Sequence, residues 1–341
     1  MNKIKIGVLC PSEIAFRRFM PAISDHPNAE YIGIASASGK EWFGEDALVD
    51  DAVIENERLK TQEFVKTYGG KTYPSYHALI TSAEVDAIYL PLPPALHYRW
   101  AEQVLKNRKH ILLEKPATTS FHDTKSLIRL AEENDLAIHE NYMFLFHSQI
   151  AEIEKIIQSG KLGDVRLYRI SFGFPRREKN DFRYKKALGG GALLDCGGYT
   201  LKLAQHLLGK TAKIVYSQQN NVDGFEVDIY GSATLVNDRG VTAQIAYGMD
   251  NAYQCKLEVW GSKGYLSTGR ILTAPVGFTP TATIEIGGKT ETVCLSTDDT
   301  FKKSISKFCE CISSPVTCAQ NHADILDQAR LVEQMKEGFS L

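Results

Sequence analysis

Two short segments hold groups that could move a proton. In LLEKP (112–116) an ammonium, Lys115, stands between a carboxylate and a proline that restricts the backbone before it. In LGGGALLDCGGY (188–199) a glycine run enters a helix that the pattern carries through Leu208. On that helix Leu194, Gly197, Leu201, Ala204 and Leu208 form one stripe. Asp195, Tyr199, Lys202 and His206 form another, spaced four, three and four apart. Leu193, Leu203 and Leu207 border the polar stripe, which suits a cleft better than bulk water. An ammonium, a carboxylate and a phenol are groups of general acid–base chemistry. The plain alternative makes Lys115 a solvated lysine at a strand end and Tyr199 a core tyrosine with a bonded hydroxyl. For Lys202 and His206 a surface role is expected, but not for Asp195 and Tyr199.

The elements that must carry these groups change character along the chain. Before residue 140, apolar runs at 4–9, 31–35, 85–90, 110–113 and 136–139 alternate with helical patterns at 14–23, 75–80, 97–107 and 120–134. Alternation of this kind implies a parallel sheet covered on both faces. The acidic segment 43–60 does not fit it and reads as a surface insertion. After a helix at 150–158, longer alternating strands follow at 165–174, 227–236, 241–247, 255–260 and 282–286, with helices at about 301–312 and 322–336. Short turns between such strands point to an antiparallel sheet. The expected fold class is α/β: an N-terminal Rossmann domain with a parallel sheet (1–140), then a C-terminal α+β domain with an open, mainly antiparallel sheet (141–341). The second domain is expected to bind substrate and to oligomerise. Its partly polar face, with Tyr247, Tyr253 and Trp260, is the surface for that.

Ligands of open parallel sheets gather at strand C-termini, with a pyrophosphate on the first helix N-terminus. Here Cys10, Ser12 and Ala15 occupy the positions of the G-x-G-x-x-G/A fingerprint. Cys10 and Ser12 are small, Glu13 leads into the helix that Ile14 begins, both are candidate cofactor contacts, and the Ser12 hydroxyl could donate to phosphate. The turn reads equally as a plain strand–helix connection. After the second strand stand Ser36, Ala37, Ser38, Gly39 and Lys40, with no carboxylate before Glu41. Hydroxyls and an ammonium tolerate a 2′-phosphate, which favours NADP, while the missing arginine leaves NAD open. The ends of the next two strands supply Pro91, Leu92, Pro93, Leu96 and His97, then Glu114 and Lys115, as further candidate cofactor contacts.

Together with PLPPALH (91–97) and ENYMF (140–144), these motifs resemble the glucose–fructose oxidoreductase/inositol dehydrogenase (Gfo/Idh/MocA) family over nearly the whole chain. CPSEIAFRR (10–18), DFRYKKALGGGALLD (181–195) and YGMDNAYQCKLEVWGSKG (247–264) look most like its NDP-hexose 3-ketoreductases. The resemblance implies an NAD(P)-dependent oxidoreductase acting on CH–OH groups. It implies Lys115 as active-site lysine, Tyr199 as proton donor to a 3-keto sugar, and Asn141 among the cofactor contacts. Asp195 would orient the pair or a sugar hydroxyl, and Arg177 and Arg183 are candidates for the substrate's diphosphate. Lys202 replaces an aspartate of the inositol dehydrogenases, which argues against a polyol bound their way. Related alternatives are an aldose 1-dehydrogenase, a trans-dihydrodiol dehydrogenase-like enzyme and a non-catalytic NAD(P)-binding sensor. An aldose–aldose oxidoreductase with a wrapped cofactor is disfavoured by the first strand beginning at Ile4.

Composition excludes other classes. Lys and Arg total 39 against 41 Asp and Glu, so nucleic acid and anionic membranes are not expected partners. No apolar run approaches the ~18 residues of a membrane span. Seven scattered cysteines without an export signal imply reduced thiols, a cytoplasmic location and no metal site. A homodimer or homotetramer taking a small-molecule substrate is expected.

Overall fold

The computed structural model describes residues 3–43 and 50–338. The chain folds as two compact units, and their division is not a single cut. The first holds the residues up to Thr118, with His122–Asn141 and Phe301–Leu326; the second holds Thr119–Phe121, Tyr142–Thr300 and the chain from Asp327 on. A single break after residue 140 is therefore too simple. The helix at 301–312, expected with the second domain, closes on the first, where His26 Nε2 meets Ser306 Oγ at 2.9 Å.

The first unit is built on six strands: β1 (Ile4–Val8), β2 (Ala29–Ala35), β3 (Lys71–Tyr73), β4 (Ala87–Leu90), β5 (His110–Leu113) and β6 (Ile138–Glu140). Their order is β3-β2-β1-β4-β5-β6, and every pairing is parallel. The order reverses between β1 and β4, which opens a crevice at their C-terminal ends. Every residue of β4 is buried, as a strand covered on both faces requires. The helices are α1 (Met20–Ile23), α2 (Gly39–Phe43), α3 (Asp51–Tyr68), α4 (Tyr76–Ile80), α5 (His97–Lys106) and α6 (Phe121–Glu133). Residues 44–49 of the expected insertion lie outside the described residues. The rest of it is corrected: 51–60 is the first half of α3, capped by Asp50, whose Oδ1 accepts from Ala52 N at 3.0 Å. Its buried positions are Glu57, Thr61 and Phe64, so the inward stripe is two-thirds polar and invisible to a hydrophobic pattern. Phe64 and Tyr68 pack edge-on against Phe16, and the Tyr68 hydroxyl donates to Phe16 O at 2.7 Å.

The second unit has eight strands: β7 (Val165–Gly173), β8 (Lys213–Asn221), β9 (Asp228–Val236), β10 (Thr242–Gly248), β11 (Gln254–Gly261), β12 (Gly264–Gly269), β13 (Thr281–Ile286) and β14 (Lys289–Cys294). The order is β14-β13-β12-β11-β7-β10-β9-β8, antiparallel except for the β7–β10 pair. α7 (Ser148–Gln158) and α8 (Gly198–Leu208) belong to this unit, and α8 packs on β7 and β10. α9 (Thr300–Ser313) and α10 (Pro315–Glu337) close the chain. Alternation buries one face and leaves Tyr216, Tyr230 and Trp260 about 43–44% exposed, and Tyr253, just before β11, is exposed as well. Tyr247 is corrected: it shares the inward face with Ala243 and Ile245, and its ring lies against Gly197.

Candidate active site

The candidate residues form two groups, one in each unit. In the first, residues 13–23 run as one helix directly after the β1 turn. Ser12 caps it, its Oγ accepting from Ala15 N at 3.2 Å while Phe16 N reaches Ser12 O at 3.0 Å. The N–H groups of Glu13 and Ile14 are those a helix cannot satisfy itself, and the Ser12 hydroxyl keeps its hydrogen to donate. These donors fit a pyrophosphate. The Glu13 side chain turns away to pair with Arg17 at 2.7 Å. Cys10 is half-buried and its thiol is pushed up to about 12, by burial first and then by Glu57, so it remains a neutral part of the turn. The helix widens at Ala15–Phe19 into a π-turn, closed by Met20 N on Ala15 O.

After β2, Ser36 and Ser38 are half-buried and Lys40 is exposed. Ser38 and Glu41 form a reciprocal cap: Ser38 N donates to Glu41 Oε2 at 2.8 Å and Glu41 N to Ser38 Oγ at 3.4 Å. Glu41 also accepts from Tyr76 N (3.0 Å) and His77 N (2.9 Å) at the start of α4. Its two oxygens thus serve three backbone amides. The S-x-x-E spacing of Ser38 and Glu41 is a capping signal that could have been read from the sequence.

The ends of β4, β5 and β6 are laced together. Glu114 N donates to Leu90 O at 3.2 Å and Asn141 N to Leu113 O at 2.8 Å. The Glu114 carboxylate accepts from Tyr89 OH and Asn141 Nδ2, both at 2.7 Å. Burial raises its pKa, and these two hydrogen bonds oppose the shift. Lys115 follows, half-buried, and its bond to Pro116 is cis. Pro91 and Leu92 are buried, whereas Pro93 and Leu96 are half-buried. His97 is fully enclosed, with Nδ1 2.8 Å from Pro116 O and Nε2 2.7 Å from Leu92 O. Carbonyls only accept, so a singly protonated ring makes one bond at a time, and burial lowers the His97 pKa. His97 and Asn141, expected as cofactor contacts, have their polar atoms committed inside the protein. They tie the strand ends that carry Glu114 and Lys115.

In the second unit the glycine run ends in a π-turn, Leu193–Gly197, closed by Gly198 N on Leu193 O, and α8 begins there. Gly191 has φ 122°, and a Cβ on it would stand 2.3 Å from Asp228 Oδ1. A Cβ on Gly198 would stand 2.3 Å from the Tyr142 hydroxyl. Asp228 accepts from Leu193 N at 2.7 Å and anchors the turn; burial raises its pKa to about 6. Two wide turns thus sit at the two glycine-type motifs, where π-turns often mark functional sites.

Tyr199 is 8% exposed among the rings of Tyr142 (5.3 Å), Phe172 (5.5 Å) and Phe144 (5.6 Å). Its hydroxyl lies 3.8 Å from Met143 Sδ. Asp195 accepts from Arg183 Nε at 2.8 Å, and Arg183 NH1 reaches both Asp181 oxygens at 3.1 and 3.2 Å. Burial works against the Arg183 charge, but Asp195 and Asp181 outweigh it and raise its pKa. Arg183, expected to meet a diphosphate, is engaged by two carboxylates and stacks on Phe182. Arg177 is more open, over Phe174 and 3.9 Å from Asp181. Lys202 is corrected from surface to buried, with Nζ 6.0 Å from the Tyr142 ring. His206 pairs with Glu154 at 3.0 Å on the surface. Among the described residues no cluster of three His, Cys, Asp or Glu could hold a metal ion, and no helix is long and apolar enough to cross a membrane.

Residues 14–142 match the family described as "Oxidoreductase family, NAD-binding Rossmann fold", and residues 150–267 match the GFO/IDH/MocA C-terminal domain. The chain is 34% identical over 337 residues to the dTDP-3,4-didehydro-2,6-dideoxy-alpha-D-glucose 3-reductase of Actinomadura kijaniata, with 99% of this chain and 96% of that protein covered. The enzyme of the same name from Streptomyces violaceoruber is 34% identical over 352 residues, covering 100% and 97%. The crystal structure of KijD10, a 3-ketoreductase from Actinomadura kijaniata in complex with NADP and TDP-benzene, matches with a TM-score of 0.90 at 34% identity, covering 99% of this chain and 98% of that one. A Rossmann unit, an open sheet unit and similarity running through both place this chain in the Gfo/Idh/MocA family of oxidoreductases.

Proposed function

We propose that the protein reduces the 3-keto group of a nucleotide-linked deoxysugar with NADPH. The observation that carries this reading is full-length similarity at 34% identity to dTDP-keto-sugar 3-reductases and to a 3-ketoreductase crystallised with NADP. The commitment of Glu41 to backbone amides supports the choice of NADPH, because this carboxylate after β2 is not free to favour an unphosphorylated ribose. The helix start at Ser12–Ile14 would hold the pyrophosphate, with Ser36, Ser38 and Lys40 toward the 2′-phosphate and Glu114 and Lys115 toward the nicotinamide end. The dinucleotide supplies the hydride. Tyr199 donates a proton to the carbonyl oxygen, and Lys115 stabilises the negative charge that gathers there. A phenol of pKa ~10 needs such a cation to exchange protons at neutral pH. Asp195, fixed by Arg183, orients a sugar hydroxyl, and Arg177 is the freer guanidinium for the diphosphate.

The reading includes a cytoplasmic enzyme that self-associates through the open face of the eight-stranded sheet, where Tyr216, Tyr230 and Trp260 are exposed. The test is NADPH consumption with a dTDP-linked 3-keto-deoxysugar, run beside free aldoses, trans-dihydrodiols and NADH, with mass measurement in solution. Turnover of the nucleotide sugar and preference for NADPH are expected. Binding without turnover of any of these would replace the enzyme reading by a sensor.

A further inference from the structure

We infer that Ser304, with His139 behind it, is a positioning residue for the dinucleotide: it fixes which way the Asn141 amide faces and so keeps the Glu114 carboxylate ionised beside Lys115. The inference rests on the NADPH reading above. Within the first unit one line of hydrogen bonds runs to Glu114. His139 Nε2 lies 3.0 Å from Ser304 Oγ, Ser304 Oγ donates to Asn141 Oδ1 at 2.7 Å, and Asn141 Nδ2 donates to Glu114 Oε1 at 2.7 Å. His139, Asn141 and Ser304 are each at most 1% exposed.

The direction of the line follows from donor and acceptor chemistry. An ionised carboxylate only accepts, so Asn141 must turn Nδ2 toward Glu114 and Oδ1 away from it. Oδ1 then needs a donor, which is the Ser304 hydroxyl. With its hydrogen committed there, Ser304 accepts from His139 Nε2–H. Asn321, whose Nδ2 donates to Ile138 O at 2.6 Å, presents its Oδ1 to His139 Nδ1 at 3.1 Å, so a singly protonated ring serves one neighbour at a time, and its Nε2–H form is the one that leaves the Ser304 hydrogen to Asn141. Without the Ser304 hydroxyl the amide is free to turn. Its oxygen would then face Glu114 Oε1, acceptor against acceptor, which pushes the Glu114 pKa further in the direction burial already raises it and so favours uptake of a proton. A neutral Glu114 loses an acceptor for the hydroxyl donors of a bound dinucleotide. This also gives α9 a role in its unit: it delivers Ser304 and is moored by Lys302 on Asp25 at 3.0 Å.

The test compares Ser304→Val with Ser304→Thr, which share a shape and differ in the hydroxyl, and Ser304→Ala with the wild type in case the extra methyl disturbs packing. NADPH binding is titrated by nicotinamide fluorescence without sugar. Val and Ala should weaken it about 5- to 20-fold, the loss of one oriented hydrogen bond to a charged group, while Thr stays within about twofold. The KM for the sugar should be unchanged. Glu114→Gln should weaken NADPH similarly, and Ser304→Ala should add almost nothing in that background, whereas a merely structural serine would add its full effect. Equal NADPH binding by wild type and Ala, or full additivity with Glu114→Gln, overturns the inference. Failure of the wild type to bind NADPH or NADH overturns the functional reading instead.

Discussion

Replacing Arg183 by Met separates two roles for the one guanidinium that the second unit encloses between carboxylates. Arg183 is 23% exposed in its side chain, Asp195 15% and Asp181 16%, with N–O distances of 2.8 and 3.1 Å. Breaking a fully buried pair by removing one partner costs about 3–5 kcal/mol, because the other charge is left without compensation. Partial solvent access reduces that here to about 2–4 kcal/mol, or roughly 3–6 °C in the melting midpoint of a chain this long. The methionine keeps an unbranched apolar stem and removes the charge, the donors and the guanidinium that stacks on Phe182. Asp195→Asn in the same background removes the orphaned carboxylate, so the double variant should recover at least about 1.5 kcal/mol relative to the sum of the single effects. Thermal and urea unfolding followed by circular dichroism give the cycle, and kinetics with the nucleotide sugar give the functional side. Turnover should fall with stability, because Asp195 loses its orientation one turn before Tyr199. If the single effects add within about 0.5 kcal/mol while the sugar KM rises, Arg183 binds substrate and the clamp argument is refuted.

Tyr199→Phe should lower turnover at least about tenfold and leave NADPH affinity unchanged, since it deletes only a proton donor; steady-state rates with a fluorescence titration check both halves. Asp228→Asn should alter the pH dependence of stability. Burial raises the folded-state pKa from 3.8 to about 6, so the stability tied to the neutral carboxyl is complete below pH ~4 and is lost as pH rises through 6. The amide keeps an acceptor for Leu193 N and never ionises. The variant's melting advantage over wild type should therefore grow between pH 4 and 7 by the equivalent of about 2–3 kcal/mol, and a flat difference would contradict the burial account.

The parallel sheet was legible because its strands are continuous apolar runs with helical spacing between them. β3, β8, β12 and β14 were not: Lys71–Tyr73 is too short to alternate, and β14 (KTETVC) is an exposed edge strand that pairs through its backbone. α3 was hidden by Glu57 and Thr61 on its buried side. In the two candidate groups the chemical residues themselves, Lys115 in the first unit and Asp195 and Tyr199 in the second, announce their types and spacing. Their supports do not, because Ser304 reaches Asn141 across 163 residues and Asp228 reaches Leu193 across 35. A hydrogen bond of that span leaves no periodic trace. The π-turn at Leu193–Gly197 is likewise absent from a helical wheel, and Lys202, expected at the surface because lysines usually are, is buried with the rest of its stripe's inner part.

The cofactor preference illustrates how an apparent exception becomes informative once hydrogen bonds are counted. A carboxylate after the second strand favours NAD because it accepts from both ribose hydroxyls and repels a phosphate. Glu41 is near enough in sequence to suggest that role. Yet Oε2 already receives Ser38 N and Tyr76 N and Oε1 receives His77 N, so turning toward a ribose would strip three amides of their partner. Each stripped amide that stayed buried would cost on the order of 1–3 kcal/mol, more than two hydroxyl contacts return. The same bonds join the start of α2 to the start of α4, which fixes the loop bearing Ser36, Ser38 and Lys40. On the proposed reading, selectivity for NADPH would therefore need no arginine at this position: it would follow from withdrawing the Glu41 charge and leaving the Ser36 and Ser38 hydroxyls and the Lys40 ammonium toward the phosphate.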